Sequence, residues 1–147
     1  MTPRAAPRVE ANSVFIVEDE APIRGVLTEA LEQNGYRAVG FGDGASALKR
    51  LQDTLPDLIL LDMRMPEMDG FEFLKRLRAN SASADVPVII VSGLGEDLLR
   101  AIDARAAEKL GVAGIFAKPF DLPTLLRYVQ GTIARNRAHR PAKRTAS

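Results

Sequence analysis

Five short apolar runs recur along the chain, and each is followed by apolar residues at helical spacing. Ser13 to Val17, Leu58 to Leu61 and Val86 to Val91 are continuous rather than alternating. That is the pattern of strands buried on both faces of a parallel sheet. Pro87 is tolerated because it lies near the start of its run. Tyr36 to Phe41 is weaker, carries Arg37 and Gly40, and reads as an outer strand; Val112 to Phe116 is the fifth. The intervening stripes predict helices. They comprise Ile23, Val26, Leu27, Ala30 and Leu31; Ala47, Leu48 and Leu51; and Phe71, Leu74 and Leu77. A fourth runs from about Glu96 to Leu110, and a fifth carries Leu122, Leu125, Leu126, Val129 and Ile133. Pro22 suits a first helical turn, where its missing N–H costs nothing. Asn34-Gly35 and Gly111 stop their helices, and Asp121 caps the last one.

Strand then helix, five times over, gives an α/β fold: a doubly wound, five-stranded parallel sheet with helices on both faces. All five strand-to-helix loops then open on one edge, where such sheets place their ligands. The pattern covers residues 13–134 as one domain. Residues 1–12 read as a flexible lead-in, and residues 135–147 as a basic tail, expected to be disordered for want of apolar periodicity.

Composition narrows the chemistry. A chain of 147 residues, 46% apolar, suits a single domain with its own core. The formal charge of +1 hides an asymmetry, because five basic residues and no acid lie from Arg135 onward. The other 15 basic against 19 acidic residues leave the body at about −4, a poor general nucleic-acid surface. There is no cysteine, which removes disulfides and thiolate chemistry and suits a reducing cytoplasm. The one histidine, His139, lies in the tail, far from any triad or metal site. No apolar run approaches bilayer length and the start lacks a signal-peptide core, so a cytoplasmic protein without membrane insertion is expected.

Four of the five strands end in polar residues: Glu18-Asp19, Asp62, Ser92 and Lys118. Each alone has a plain explanation, as a helix-end charge, a cap or a solvated loop residue. Together they place three carboxylates, a hydroxyl and an ammonium on one sheet edge. Unneutralised carboxylates there would repel, so a hard divalent cation is the natural occupant: Mg2+, with Mn2+ as a substitute. Mg2+ completes its shell with phosphate oxygens; Lys118 supplies a charge and Ser92 a hydrogen bond to the same group. Asp62 is left as an oxygen nucleophile toward phosphorus.

The residues that carry this chemistry resemble the receiver domain of two-component response regulators. The likeness runs from about Ser13 to Ile133 through Val17-Glu18-Asp19-Glu20, Leu61-Asp62-Met63-Arg64-Met65-Pro66-Glu67-Met68-Asp69-Gly70, Val91-Ser92-Gly93 and Phe116-Ala117-Lys118-Pro119-Phe120. The resemblance implies a flavodoxin-like (βα)5 three-layer sandwich with sheet order 2-1-3-4-5. It implies Asp62 as phosphoacceptor, and Glu18, Asp19, Asp62 and the backbone carbonyl of Arg64 as Mg2+ ligands. Ser92 and Phe116 would be the switch pair, and Lys118 the motif lysine. A sensor histidine kinase or a histidine phosphotransfer protein would be the donor. Three departures stand out. Glu18 is longer than the Asp of many members, Phe116 lacks a hydroxyl, and Lys118 lies 26 positions after Ser92. The last implies an extra turn, placed within Leu98 to Leu110. A cis peptide is predicted at Lys118-Pro119, holding the ammonium toward Asp62, and Gly93 should leave the phosphoryl group open to water.

The expected function is therefore a phosphoacceptor switch, not an enzyme beyond its own phosphorylation and dephosphorylation. Phosphate at Asp62 would draw Ser92 inward, let Phe116 follow, and alter the face of the fourth helix, fifth strand and fifth helix that a downstream protein reads. Only 14 residues follow Ile133, too few for a helix-turn-helix, so a stand-alone receiver is expected. The rivals are a receiver cut from a larger hybrid kinase or output protein, a small Mg2+-dependent phosphatase, and a flavodoxin-like binding protein. Arg64 stands where the phosphatase needs a second Asp, and Glu18-Asp19-Glu20 would repel a flavin phosphate.

Overall fold

A computed structural model describes residues 6–93 and 109–139. Five parallel strands form the sheet: β1 (Ser13–Val17), β2 (Arg37–Phe41), β3 (Leu58–Leu61), β4 (Val88–Ser92) and β5 (Val112–Ala117). Their order is β2-β1-β3-β4-β5, all parallel, as the resemblance implies. Helices α1 (Ala21–Gln33), α2 (Gly44–Leu51) and α3 (Gly70–Ala79) and a C-terminal helix (Leu122–His139) cover it. Most of the fourth predicted helix, including its extra turn, falls outside the described residues.

Apolar runs become central strands because both of their faces are buried. Every residue of β1, β3 and β4 is buried, whereas β2 leaves Arg37 and Gly40 exposed and the rest half-buried, as expected of an outer strand. Alternate side chains serve opposite layers. Phe15, Val17, Ile59, Leu61 and Ile90 pack with Ala47, Phe73 and Leu77 of α2 and α3. Val14, Ile16, Leu58, Leu60 and Val91 pack with Leu27 and Leu31 of α1 and with Leu125, Val129 and Ile133. At about 1.5–3 kcal/mol for each fully buried aliphatic or aromatic side chain, these two half-cores outweigh any local propensity. Capping sharpens the boundaries: Asp43, Asp69 and Asp121 each accept a backbone N–H three residues on.

Both expected chain ends differ from the structure. Part of the lead-in is fixed, since Arg8–Val9 pairs in parallel with Thr54–Leu55, a ladder that no apolar pattern announces. The C-terminal helix continues five residues into the expected tail, through His139. It is held there by charge rather than apolar burial. The Arg135 guanidinium sits 5.9 Å over the Tyr128 ring, and Arg137 donates to the buried Asp57 carboxylate and to Asn12.

Candidate functional site

The register brings the strand ends level: Val17 lies opposite Leu61, and Ser92 opposite Ala117. The residues that follow β1 and β3, Glu18 and Asp62, therefore emerge side by side, both buried. One oxygen from each of Glu18, Asp19 and Asp62 lies within 4.8 Å of the others. Lys118, just beyond β5, reaches into the same pocket. Its backbone N–H donates to the Ser92 carbonyl at 2.9 Å, which locks the ends of β4 and β5 together. Ser92 itself is buried and engaged at the end of β4.

The three carboxylates are held differently. Glu18 is gripped at both oxygens: Lys118 Nζ donates to Oε1 at 2.6 Å, and the Glu20 N–H donates to Oε2 at 3.1 Å. Asp62 accepts one long bond from the Arg64 N–H, at 3.3 Å, and lies 3.8 Å from Lys118 Nζ. The ammonium thus reaches Asp62 only as a near charge and makes its hydrogen bond to Glu18, which refines the expectation that it is aimed at Asp62. Asp19 is exposed, and among the described residues no hydrogen bond holds its carboxylate. Burial first, and then the charge of Glu18, push the Asp62 carboxyl up to about 7, against the opposing pull of the Arg64 N–H and Lys118. Burial would lower the Lys118 ammonium, but the Glu18 hydrogen bond and the neighbouring carboxylates outweigh it and raise it.

The loop after Asp62 is built to stay put. Met63 and Met65 are buried under it, and the Gly70 N–H donates back to the Met63 carbonyl at 3.0 Å. A Cβ at Gly70 would lie 2.4 Å from the Met63 sulfur and 2.7 Å from its Cα, so only glycine fits. The Lys118-Pro119 peptide is cis, as expected. Gly93 is exposed, with nothing within 4 Å of where a Cβ would be. Phe116 is half-buried in β5, its ring edge-on to Tyr128 at 5.4 Å. Sequence reasoning missed Arg24 of α1, which donates to the Glu18 carbonyl at 2.7 Å. Its only trace is a charge on the α1 face opposite two glycines of the β2 end, Gly40 and Gly42.

Three carboxylates thus face a lysine at the carboxyl edge of a 2-1-3-4-5 parallel sheet. The family model for the response regulator receiver domain matches residues 14–130, and the chain belongs to that family. It is 35% identical over 127 residues to the phosphate regulon transcriptional regulatory protein PhoB of Escherichia coli K12. That match takes 85% of this chain and 53% of PhoB, so the chain spans about half the length of that relative. Sporulation initiation phosphotransferase F of Bacillus subtilis is 37% identical over 110 residues, 74% of this chain and 83% of that protein. Among solved structures, the receiver domain of sensor histidine kinase PA1611 from Pseudomonas aeruginosa PAO1, with a magnesium ion coordinated in its active-site cleft, superposes with TM-score 0.71. It is 29% identical, covering 83% of this chain and 97% of that one. Among the described residues no helix is long and apolar enough to cross a membrane.

Proposed function

We propose that Asp62 is the phosphoacceptor and that the pocket takes Mg2+ on Glu18, Asp19 and Asp62, with Mn2+ as a substitute and the Arg64 carbonyl as a further ligand. The carrying observation is the convergence of three carboxylate oxygens within 4.8 Å, with Lys118 Nζ 3.8 Å from Asp62. All-oxygen donors of this charge fit a hard divalent ion and no soft one. When bound, the ion would neutralise charge on the pocket and on an incoming phosphoryl group.

The chain's own residues perform the rest. An Asp62 carboxylate oxygen attacks phosphorus, and the bond from phosphorus to the donor's imidazole nitrogen breaks. That nitrogen keeps the electron pair and takes a proton. The product is a mixed acyl phosphate on Asp62. Lys118 then has a second anionic partner beside Glu18, and Ser92 a phosphoryl oxygen to bond. Gly93 leaves the phosphate open to water, which hydrolyses it in time. Ser92 moves toward the phosphate, and Phe116 leaves its Tyr128 contact to follow it. The face carrying β5 and the C-terminal helix then changes for a downstream protein or a relay partner. The donor is a sensor histidine kinase or a histidine phosphotransfer protein, and the compartment is the cytoplasm. The activity is self-phosphorylation and self-dephosphorylation, not turnover of an external substrate.

Intact-mass measurement after incubation with acetyl phosphate tests this. With Mg2+ the wild type gains one phosphoryl group, and it gains none in excess chelator; Asp62→Asn gains none in either. Equal gain by Asp62→Asn would move the acceptor elsewhere.

A further inference from the structure

Asp19 is the one pocket carboxylate that no hydrogen bond orients among the described residues, yet it must point at the ion that Glu18 and Asp62 share. Among the described residues, what directs it is its backbone. One nitrogen of Arg24 meets both peptides that flank the Asp19 Cα: Nη1 donates to the Glu18 carbonyl at 2.7 Å and reaches the Asp19 carbonyl at 3.5 Å. Peptide planes are rigid, so tethering both carbonyls restricts the two dihedrals between them and thereby the direction of the Asp19 side chain. Arg24 can make this reach because β2 is bare beneath it. A Cβ on Gly40 would lie 3.0 Å from both Cγ and Cδ of Arg24, and one on Gly42 would lie 3.5 Å from Nη1. The arginine stem runs through a glycine trough. Its own backbone is anchored as well, its N–H donating to the Glu20 carbonyl at 3.0 Å and its carbonyl accepting from Thr28 Oγ1 at 2.7 Å.

We propose that Arg24, guided by Gly40 and Gly42, is the positioning residue for Asp19 and sets the pocket's affinity for a divalent cation. This rests on the reading of Glu18, Asp19 and Asp62 as an Mg2+ site. Arg24 is no member of the carboxylate cluster itself. It acts through the backbone, as supports of metal ligands do when their loss costs about 10–100-fold in affinity.

Calorimetric titration of Mg2+ into the full chain tests the proposal, with Mn2+ uptake by electron paramagnetic resonance as a second readout. Arg24→Met keeps the stem over Gly40 and removes the guanidinium. It should weaken Mg2+ about tenfold, with the circular dichroism spectrum unchanged. Arg24→Lys, which restores one donor and the charge, should recover part of the loss. Gly40→Ala should weaken Mg2+ on its own and add nothing on top of Arg24→Met, because both act on one tether. If Arg24→Met fails to fold, Gly40→Ala alone decides. Wild-type affinity in a folded Arg24→Met, or in Gly40→Ala when that variant decides, overturns the positioning role. A wild type that takes up no Mg2+ overturns the pocket reading and this inference with it.

Discussion

At the scale of single residues, the consequential feature is a carboxyl held where its charge is unwelcome. Asp62 is buried beside Glu18, and its pKa stands near 7 against an ordinary value of about 3.9. The sign follows from proton counting. Between pH 4 and 7 the folded protein keeps a proton on Asp62 that the unfolded chain releases, so stability falls as pH rises through that window. Above about 7 the loss is complete. Asp62→Asn is neutral at every pH and should therefore stabilise the metal-free protein. After allowance for solvent at the pocket mouth, a gain on the order of 1–2 kcal/mol is expected at pH 8 and a smaller one at pH 5. Urea unfolding in the presence of chelator at the two pH values measures it. Equal stability of the two proteins at pH 8 would mean that Asp62 is not strained. The strain was only half legible in the sequence: three acids near one edge could be inferred from strand order, but not that Glu18 would take the lysine's hydrogen bond and press against Asp62.

Among the elements, the C-terminal helix departs furthest from its sequence pattern. Its apolar stripe ends at Ile133, yet the helix runs to His139 because Arg137 closes on Asp57, a carboxylate buried just before β3. Asp57 also accepts the Asn12 N–H at 2.6 Å, so one side chain ties the start of the chain, the sheet and the last helix. Removing Arg137 would leave that carboxylate with less than its charge requires. Arg137→Ala is expected to cost about 1–3 kcal/mol, less than a fully buried pair because Arg137 is partly exposed and Asn12 stays in place. Amides of residues 135–139 should then exchange faster with solvent. Unchanged exchange there would show that the helix end is held without the ion pair. The elements missed by periodicity share a cause. The Arg8–Val9 ladder, the helix extension and the Arg24 tether rest on backbone pairing and guanidinium contacts, which carry no 2- or 3.6-residue rhythm. Gly40 shows the ambiguity: its sequence signal was a weak outer strand, and its structural use is room for the Arg24 stem. The three central strands and four of the helices were legible because each buries a continuous run or a stripe, and the two outer strands because their apolar residues pack half-buried against the same cores.

For the whole molecule, the strain at Asp62 and the proposed ion oppose each other, and their balance gives a prediction neither gives alone. An ion that binds only the folded state raises stability by RT ln(1 + [L]/Kd), about 2.7 kcal/mol at one hundred times Kd. For a chain of this size that is a rise in Tm on the order of 5–15 °C. Wild type at pH 8 should therefore gain several degrees on adding Mg2+ and lose them again in chelator. NaCl at matched ionic strength should not substitute, since screening acts on exposed charges and this pocket is largely buried. Asp62→Asn removes a repelling charge and a ligand together. It should start above the wild type without Mg2+, respond weakly to it, and be overtaken as the concentration rises. The crossing of the two Tm curves is the diagnostic outcome. Parallel curves, with Asp62→Asn gaining as much as the wild type, would place the ion outside the pocket of Glu18, Asp19 and Asp62. A response much weaker in Asp62→Asn than in the wild type would tie the stability of the fold to the carboxylate proposed to take the phosphoryl group.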